Sequence, residues 1–260
     1  MDRDRALQLQ RNSLRDYVGM VAHGSPAAFV IELEGVLAAV SPATPGRSIP
    51  NSVTYDNAGA LADAHAELAA RYERAGIEAW TVWVPEFDDE AIELLERAGH
   101  RFDGHPAAMT LQLGDFEPPD LGELDWDSRC DGETLGRVND RAYGHDAGDG
   151  HAGALAALRP GGALRLYRAL DAGTAVSALG TIDHAEADGT TDCGIYFVAT
   201  DPDRRRRGLS TRLLGAALIE ARDRGCATST LQGSAQGRPI YERLGYERLF
   251  DLNLYELRRD

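Results

Sequence analysis

The stretch Val198-Ala-Thr-Asp-Pro-Asp-Arg-Arg-Arg-Arg-Gly-Leu-Ser-Thr-Arg-Leu-Leu214 decides the fold. An apolar run, Ile195 to Ala199, stops at Asp201-Pro202. Arg204 to Arg207 follow without a break, and Gly208 opens a segment whose apolar residues recur at helical spacing: Leu209, Leu213, Leu214, Ala217, Leu218 and Ala221. Strand, basic glycine turn and helix, in that order, present backbone N–H groups and the positive end of a helix to a phosphate. The plainer reading, a solvated turn that balances nearby acids, leaves this flanking order unexplained.

The rest of the chain makes that turn stand out. The formal net charge is −15, so four adjacent arginines need a local reason. All 27 basic residues are arginine and no lysine occurs, which excludes a Walker A lysine, a Schiff-base lysine and a pyridoxal phosphate attachment. The acidic balance argues against nucleic acid as a main partner, because neutralising phosphates needs a broad basic face; it favours a cationic ligand such as an amine. No apolar run is long enough to cross a bilayer, and Met-Asp-Arg-Asp-Arg leads into no hydrophobic signal region, so a cytoplasmic protein with no membrane partner is expected. Cys130, Cys193 and Cys226 are widely spaced, form no Cys-x-x-Cys pair and read as buried thiols.

At 260 residues the chain suits one large domain or two small ones. The acidic, Pro-Pro-containing stretch around 116–124 reads as a linker between residues 1–115 and 125–260. Both parts end alike. In the first, a helix over 58–74, a strand over 79–84, a helix over 88–98 and a strand over 108–113 are expected; in the second, a helix over 209–224, a strand over 227–231, a helix ending at Tyr241 to Tyr246 and a strand over 252–257. Glu96-Arg-Ala-Gly99 and Glu242-Arg-Leu-Gly245 fall at the same place in that order, which points to a structural duplication. Upstream of it in the second part, helices over 133–143 and 150–158 precede three strands, 163–170, 175–184 and 191–199, in a meander. The predicted fold class is α/β, a mixed sheet that is antiparallel early and carries crossover helices late.

These residues resemble the GNAT superfamily of acyl-CoA-dependent N-acetyltransferases. The family signature, Arg/Gln-x-x-Gly-x-Gly/Ala, is matched at Arg205 and Gly208 and replaced at Ser210, which is still small; Tyr241-Glu-Arg-Leu-Gly-Tyr246 is similar to a second family segment in the right order. The resemblance covers residues 125–258, whereas the first half is similar in fold only: Ser52-Val-Thr-Tyr-Asp-Asn57 holds no arginine turn, and Leu95 stands where the second half has Tyr241. It implies tandem GNAT-like domains, each a mixed sheet flanked by helices, of which 1–115 is degenerate and 125–260 catalytic.

The resemblance also implies a site. Backbone groups of Phe197, Val198 and Ala199 would bind the pantetheine arm of acetyl-CoA as an added strand, with the Val198 N–H polarising the thioester carbonyl. Amides around Arg206, Arg207, Gly208, Leu209 and Ser210 would hold the pyrophosphate, with charge from Arg205 and Arg206. Tyr241 is the candidate general acid for the departing thiolate; its plainer role is a core aromatic. The base stays open among Asp183, His184, Glu186, Asp192 and a water, with Asp192 carried forward as the candidate. His145, Asp146, Asp149 and His151 could gather a metal in principle, but glycine spacing and the lack of a second cluster argue against it, and no metal is expected; their loop is expected to shape substrate access. The expected reaction is acetyl transfer to a small primary amine. A non-catalytic acyl-CoA-binding regulatory module and a protein N-terminal acetyltransferase are the alternatives, the latter requiring an open groove between the halves. The first half would complete the acceptor cleft or support an interface, a homodimer included.

Overall fold

Helix α1 (Arg3–Ala22), capped by the Asp2 carboxylate on the Arg5 N–H, leads into β1 (Phe29–Leu33), β2 (Val36–Val40) and β3 (Ser52–Tyr55). The computed structural model describes residues 2–145 and 150–259. Helix α2 (Ala58–Arg74), β4 (Ala79–Pro85), α3 (Asp89–Arg97), β5 (Arg101–Gly104) and β6 (Ala107–Gln112) complete the first half. The second contains β7 (Trp126–Asp127), α4 (Gly132–Tyr143), α5 (His151–Leu155), β8 (Leu164–Asp171), β9 (Thr174–Ala185), β10 (Thr191–Thr200), α6 (Leu209–Asp223), β11 (Thr228–Gly233), α7 (Arg238–Arg243) and β12 (Glu247–Arg258).

The strands form one mixed sheet in the order β1-β2-β3-β4-β12-β6-β11-β10-β9-β8-β7, with β5 also on β12. Two pairs are parallel, β3 with β4 and β10 with β11, and each is bridged by a helix, α2 or α6. The expected α/β class and the meander β8-β9-β10 are therefore present. The elements before residue 57 were not read from sequence. The last strand is longer than the apolar pattern 252–257 indicated, because it opens on two exposed charged residues, Glu247 and Arg248, and its register shifts between Arg248 and Phe250.

That length matters. The first part of β12 pairs with β6 (Glu247 with Thr110, Asp251 with Ala107), and the second with β4 (Leu252 with Pro85, Arg258 with Ala79). Strand β6 in turn lies against β11 of the other half, from Gln112 beside Thr228 to Ala107 beside Gly233. Each half thus lends its final strand to the other. The core follows suit: Met109, Leu111, Leu113 and Phe116 sit in one apolar cluster with Leu213, Leu214, Leu218 and Leu231. A second cluster lies under α2 and α3, and a third joins Tyr17, Val18 and Val21 of α1 to Leu135, Val138, Leu166 and Tyr196. Cys130, Cys193 and Cys226 are buried and unpaired.

Candidate functional site

Strands β10 and β11 run side by side only at Asp192–Gly194 and Thr228–Thr230. Beyond that point β11 follows β6, while β10 stays with β9. A bulge between Tyr196 and Ala199 breaks the β9 register, with Phe197 at φ 54°. This turns the side chains of both Tyr196 and Phe197 toward Tyr17 of α1, at ring distances of 6.3 and 5.6 Å, while Val198 packs on the opposite cluster. Gly194 makes the turn-back of Tyr196 feasible, since a Cβ there would lie 2.2 Å from the Tyr196 hydroxyl oxygen.

The splayed strands open a cleft of about 330 Å³. Of the residues singled out from sequence, Val198, Ala199, Arg205, Arg206, Gly208, Leu209, Ser210 and Tyr241 line it; Phe197, Arg207 and Asp192 do not. Arg206 and Gly208 both take left-handed conformations, φ 61° and 73°. For arginine that strain costs on the order of 1–3 kcal/mol. The backbone N–H groups of Arg206 through Thr211 find no acceptor among the described residues, and the helix N-cap Gly208 supplies no side chain to cover them. A row of unused amides at a helix N-terminus fits a diphosphate.

The arginine run divides its labour. Arg204 pairs with Asp171 at 2.6 Å. The side chain of Arg205 does not face the cradle as expected; it donates to the carbonyls of Ala142 and Thr200, tying the end of α4 to the end of β10. Arg206 and Arg207 are exposed, and Arg243, unread from sequence, joins Arg206 at the cleft. Ser210 uses its hydroxyl in a chain: Ser210 to Thr200 at 2.6 Å, Thr200 to Ser177 at 2.8 Å, and Ser177 to the Ala199 carbonyl at 2.9 Å. The departure from glycine or alanine here thus pins the first turn of α6 to the strand.

Tyr241 is buried on α7, edge-on to Tyr246 at 6.0 Å. Gly233 and Gly237 flank its ring, and a Cβ on Gly237 would stand 2.9 Å from it. Its hydroxyl has no hydrogen-bond partner among the described residues. Burial first, then the neighbouring Tyr143, push its pKa well above that of an ordinary phenol, so it holds its proton.

Asp192 is placed away from this chemistry. It is fully buried, accepts from Thr228 at 2.5 Å and Thr230 at 2.6 Å, and burial raises its pKa. Six residues of strand, roughly 20 Å, separate it from Val198. Asp183 is held by Arg165 and Arg224, and Glu186 by Arg5 and Asn12. His184 lies 2.7 Å from both Asp16 and Glu186 and 3.8 Å from Asp192. This cluster fastens α1 to β9 and β10. Asp146 and Asp149 lie outside the described residues, among which no metal-binding group of His, Cys, Asp and Glu forms.

The cluster carries a pH dependence. Burial lowers the His184 pKa, but Asp16, Asp192 and Glu186 outweigh it and raise it to about 9. A raised histidine stabilises the fold fully below its unfolded pKa and loses that contribution as pH rises through the folded value. Between pH 6.5 and 9.5 the wild type is expected to lose up to about 3 kcal/mol from this group, and His184→Gln to be less stable at pH 6 with a flatter profile. Urea unfolding at both pH values checks this; equal slopes for the two proteins would remove His184 from the account.

In the first half, the start of α2 is already occupied. The Asp56 N–H donates to the Gly35 carbonyl at 2.8 Å and the Ala60 N–H to Asn57 at 3.0 Å. The β1–β2 turn sits directly on α2, where a Cβ on Gly35 would lie 2.7 Å from Ala60. Tyr55 bonds Asp88 at 2.8 Å across the ends of β3 and β4.

The family model for the GNAT acetyltransferase domain matches residues 166–249. This part of the chain is similar to the GNAT acetyltransferase domain. The whole fold is similar to a GCN5-related N-acetyltransferase from Kribbella flavida, with 16% identity, a TM-score of 0.66, and 95% of this chain and 94% of that chain covered. A GNAT-family acetyltransferase structure from Novosphingobium aromaticivorans gives 15% identity and a TM-score of 0.57 over 95% and 99% of the two chains. One from Sphaerobacter thermophilus gives 17% and 0.56 over 86% and 76%. At these identities the likeness is one of fold. No curated protein matches the chain in sequence. No helix among the described residues is long and apolar enough to cross a membrane.

Sequence reasoning missed the outer wall of the cleft: Ala142 and Tyr143 from α4, and Ser234, Gln236, Pro239 and Ile240 before and on α7. The glycines at 233 and 237 were the available signal for a tight approach on Tyr241.

Proposed function

We propose that the protein transfers an acetyl group from acetyl-CoA to a primary amine of a small molecule. One observation carries this reading: the residues bearing unused amides at Arg206 and at Gly208 through Thr211 lie in one cleft with the bulged strand at Val198 and the proton-bearing Tyr241. Pyrophosphate on the amides and pantetheine along β10 would bring the thioester beside Val198. The amine nitrogen attacks the carbonyl carbon, and the carbonyl electrons move onto oxygen, where the Val198 N–H stabilises them. Collapse re-forms the C=O and breaks the C–S bond; the thiolate takes the Tyr241 proton. The acceptor nitrogen loses its proton to water, which leaves the acidic cluster around Asp192 a structural one.

The first half is, in this reading, a copy whose phosphate cradle has been filled by its own β1–β2 turn. It supplies one wall of the acceptor space. Tyr17 packs there on Phe197 of the second half, rings 5.6 Å apart, and is backed by Trp83 of its own half at 6.2 Å. Side chains filling this space favour a small acceptor over a polypeptide N-terminus, which needs an open groove.

Isothermal titration with CoA, followed by a thiol-release screen of acetyl-CoA against polyamines, aminoglycosides and amino acids, tests the proposal. One-to-one CoA binding and turnover with a small amine are expected. CoA binding without turnover on any amine would make the protein a binding module, and absence of CoA binding would defeat the reading altogether.

A further inference from the structure

The last turn of α4 lies against the bulge of β10, and one of its side chains reaches the peptide that matters most. Asn139 is 2% exposed, and its Nδ2 donates to the Phe197 carbonyl and to the Leu135 carbonyl, both at 3.0 Å. The Phe197 carbonyl and the Val198 N–H belong to the same peptide unit. That unit is trans, as all are among the described residues, so its C=O and N–H point in opposite directions. A hydrogen bond that holds the oxygen toward α4 therefore aims the N–H away from α4, toward the side where Val198 lines the cleft.

The bulge makes this anchor necessary. Phe197 and Val198 have no register partner on β9, and Phe197 is held at φ 54°, so the ladder does not fix their peptide plane. The neighbours of Asn139 are fastened too. Asp140 accepts the N–H groups of His151 at 2.5 Å and Ala152 at 2.9 Å; Arg141 bonds Asp201 and the Ala175 carbonyl at 2.9 Å; Arg205 bonds the Ala142 carbonyl. Asn139 thus acts from a turn that cannot yield easily. Donation to the carbonyl oxygen also polarises the peptide, which makes its N–H a stronger donor.

We infer that Asn139 is a positioning residue for acetyl transfer: it orients and polarises the Phe197–Val198 peptide so that the Val198 N–H meets the thioester oxygen. The inference rests on the proposed reading of the cleft as an acetyl-CoA site.

The test uses the whole protein, acetyl-CoA labelled with ¹³C at the acetyl carbonyl, and no acceptor. In the wild type the bound carbonyl resonance is expected to move downfield of free acetyl-CoA, as hydrogen bonding withdraws electron density. In Asn139→Ala most of that displacement is lost, while the acetyl-CoA dissociation constant from calorimetry changes only a few-fold, because phosphates and pantetheine are held elsewhere. With any amine that turns over, kcat falls on the order of 10²-fold with little change in the KM for acetyl-CoA. Should Asn139→Ala not fold, Asn139→Leu keeps the branched shape without the donor and is read the same way. A merely structural asparagine would lower the melting temperature and leave the carbonyl resonance of the bound ligand where it was, and that result overturns the inference. A wild type that binds no acetyl-CoA defeats the cleft reading itself, a failure distinguishable from binding with an unmoved resonance.

Discussion

Residues 125–260 expressed alone are expected not to form a stable, cooperative fold, although they contain the whole GNAT-matched region. Strand β11 would lose β6, its antiparallel neighbour from Ala107 to Gln112. The half of β12 from Leu252 to Arg258 would lose β4. Met109, Leu111, Leu113 and Phe116, each 4% exposed or less, would be absent from the core beneath α6. Burying a side chain of this size contributes about 1.5–3 kcal/mol, and a domain's net stability is about 5–15 kcal/mol, so the four together consume most of the margin. Two bare strand edges, along β11 and β12, would then invite association between copies. Thermal melts and gel filtration of residues 1–260 and 125–260 decide it: a broad or missing transition with aggregation is expected for the shorter piece. A sharp melt within a few degrees of the full chain would show that β6 is dispensable.

Tyr241→Phe is expected to lower kcat by about 10²–10⁴, the usual loss when a general acid is removed. The substitution keeps the ring, so contacts with Tyr246, Gly233 and Gly237 persist and CoA affinity should hold. What disappears is a phenolic proton donor in the cleft that has no other partner among the described residues. Its burial keeps the phenol protonated through the ordinary assay range, so a wild-type rate should not decline from its ionisation below pH 9. Steady-state kinetics with the best amine of the screen, beside calorimetry with CoA, separates chemistry from binding. Unchanged kcat in the variant would return Tyr241 to a packing role.

The strand–turn–helix at residues 195–221 was legible because its signals are local: Pro202 ends the strand, Gly208 takes a left-handed conformation, and apolar spacing marks the face of α6. Tyr241, on a similarly local motif, lies at the cleft. What each arginine does was not, since Arg204 and Arg205 are engaged by Asp171 and by the carbonyls of Ala142 and Thr200, partners distant in sequence. Asp192 misled because strand alternation put it on the face of Tyr196 without revealing how far along the strand the cleft lies. Asn139 gave no signal at all; an asparagine inside a helical pattern shows its meaning only once the bulge is seen beside it. The exchange of β6 and β12 was equally hidden, because an apolar strand pattern states that a neighbour is needed but not which one.

The placement of β12 bears on how the chain matures on the ribosome. Every other strand precedes it, yet it fills the gap between β4 and β6. Neither flank of the sheet can seal until that stretch has cleared the exit tunnel, so the nascent chain must wait with unsealed borders on both sides. Pairings across such long sequence separations assemble slowly, and the interval before closure is when helper proteins that shield apolar surface would matter most.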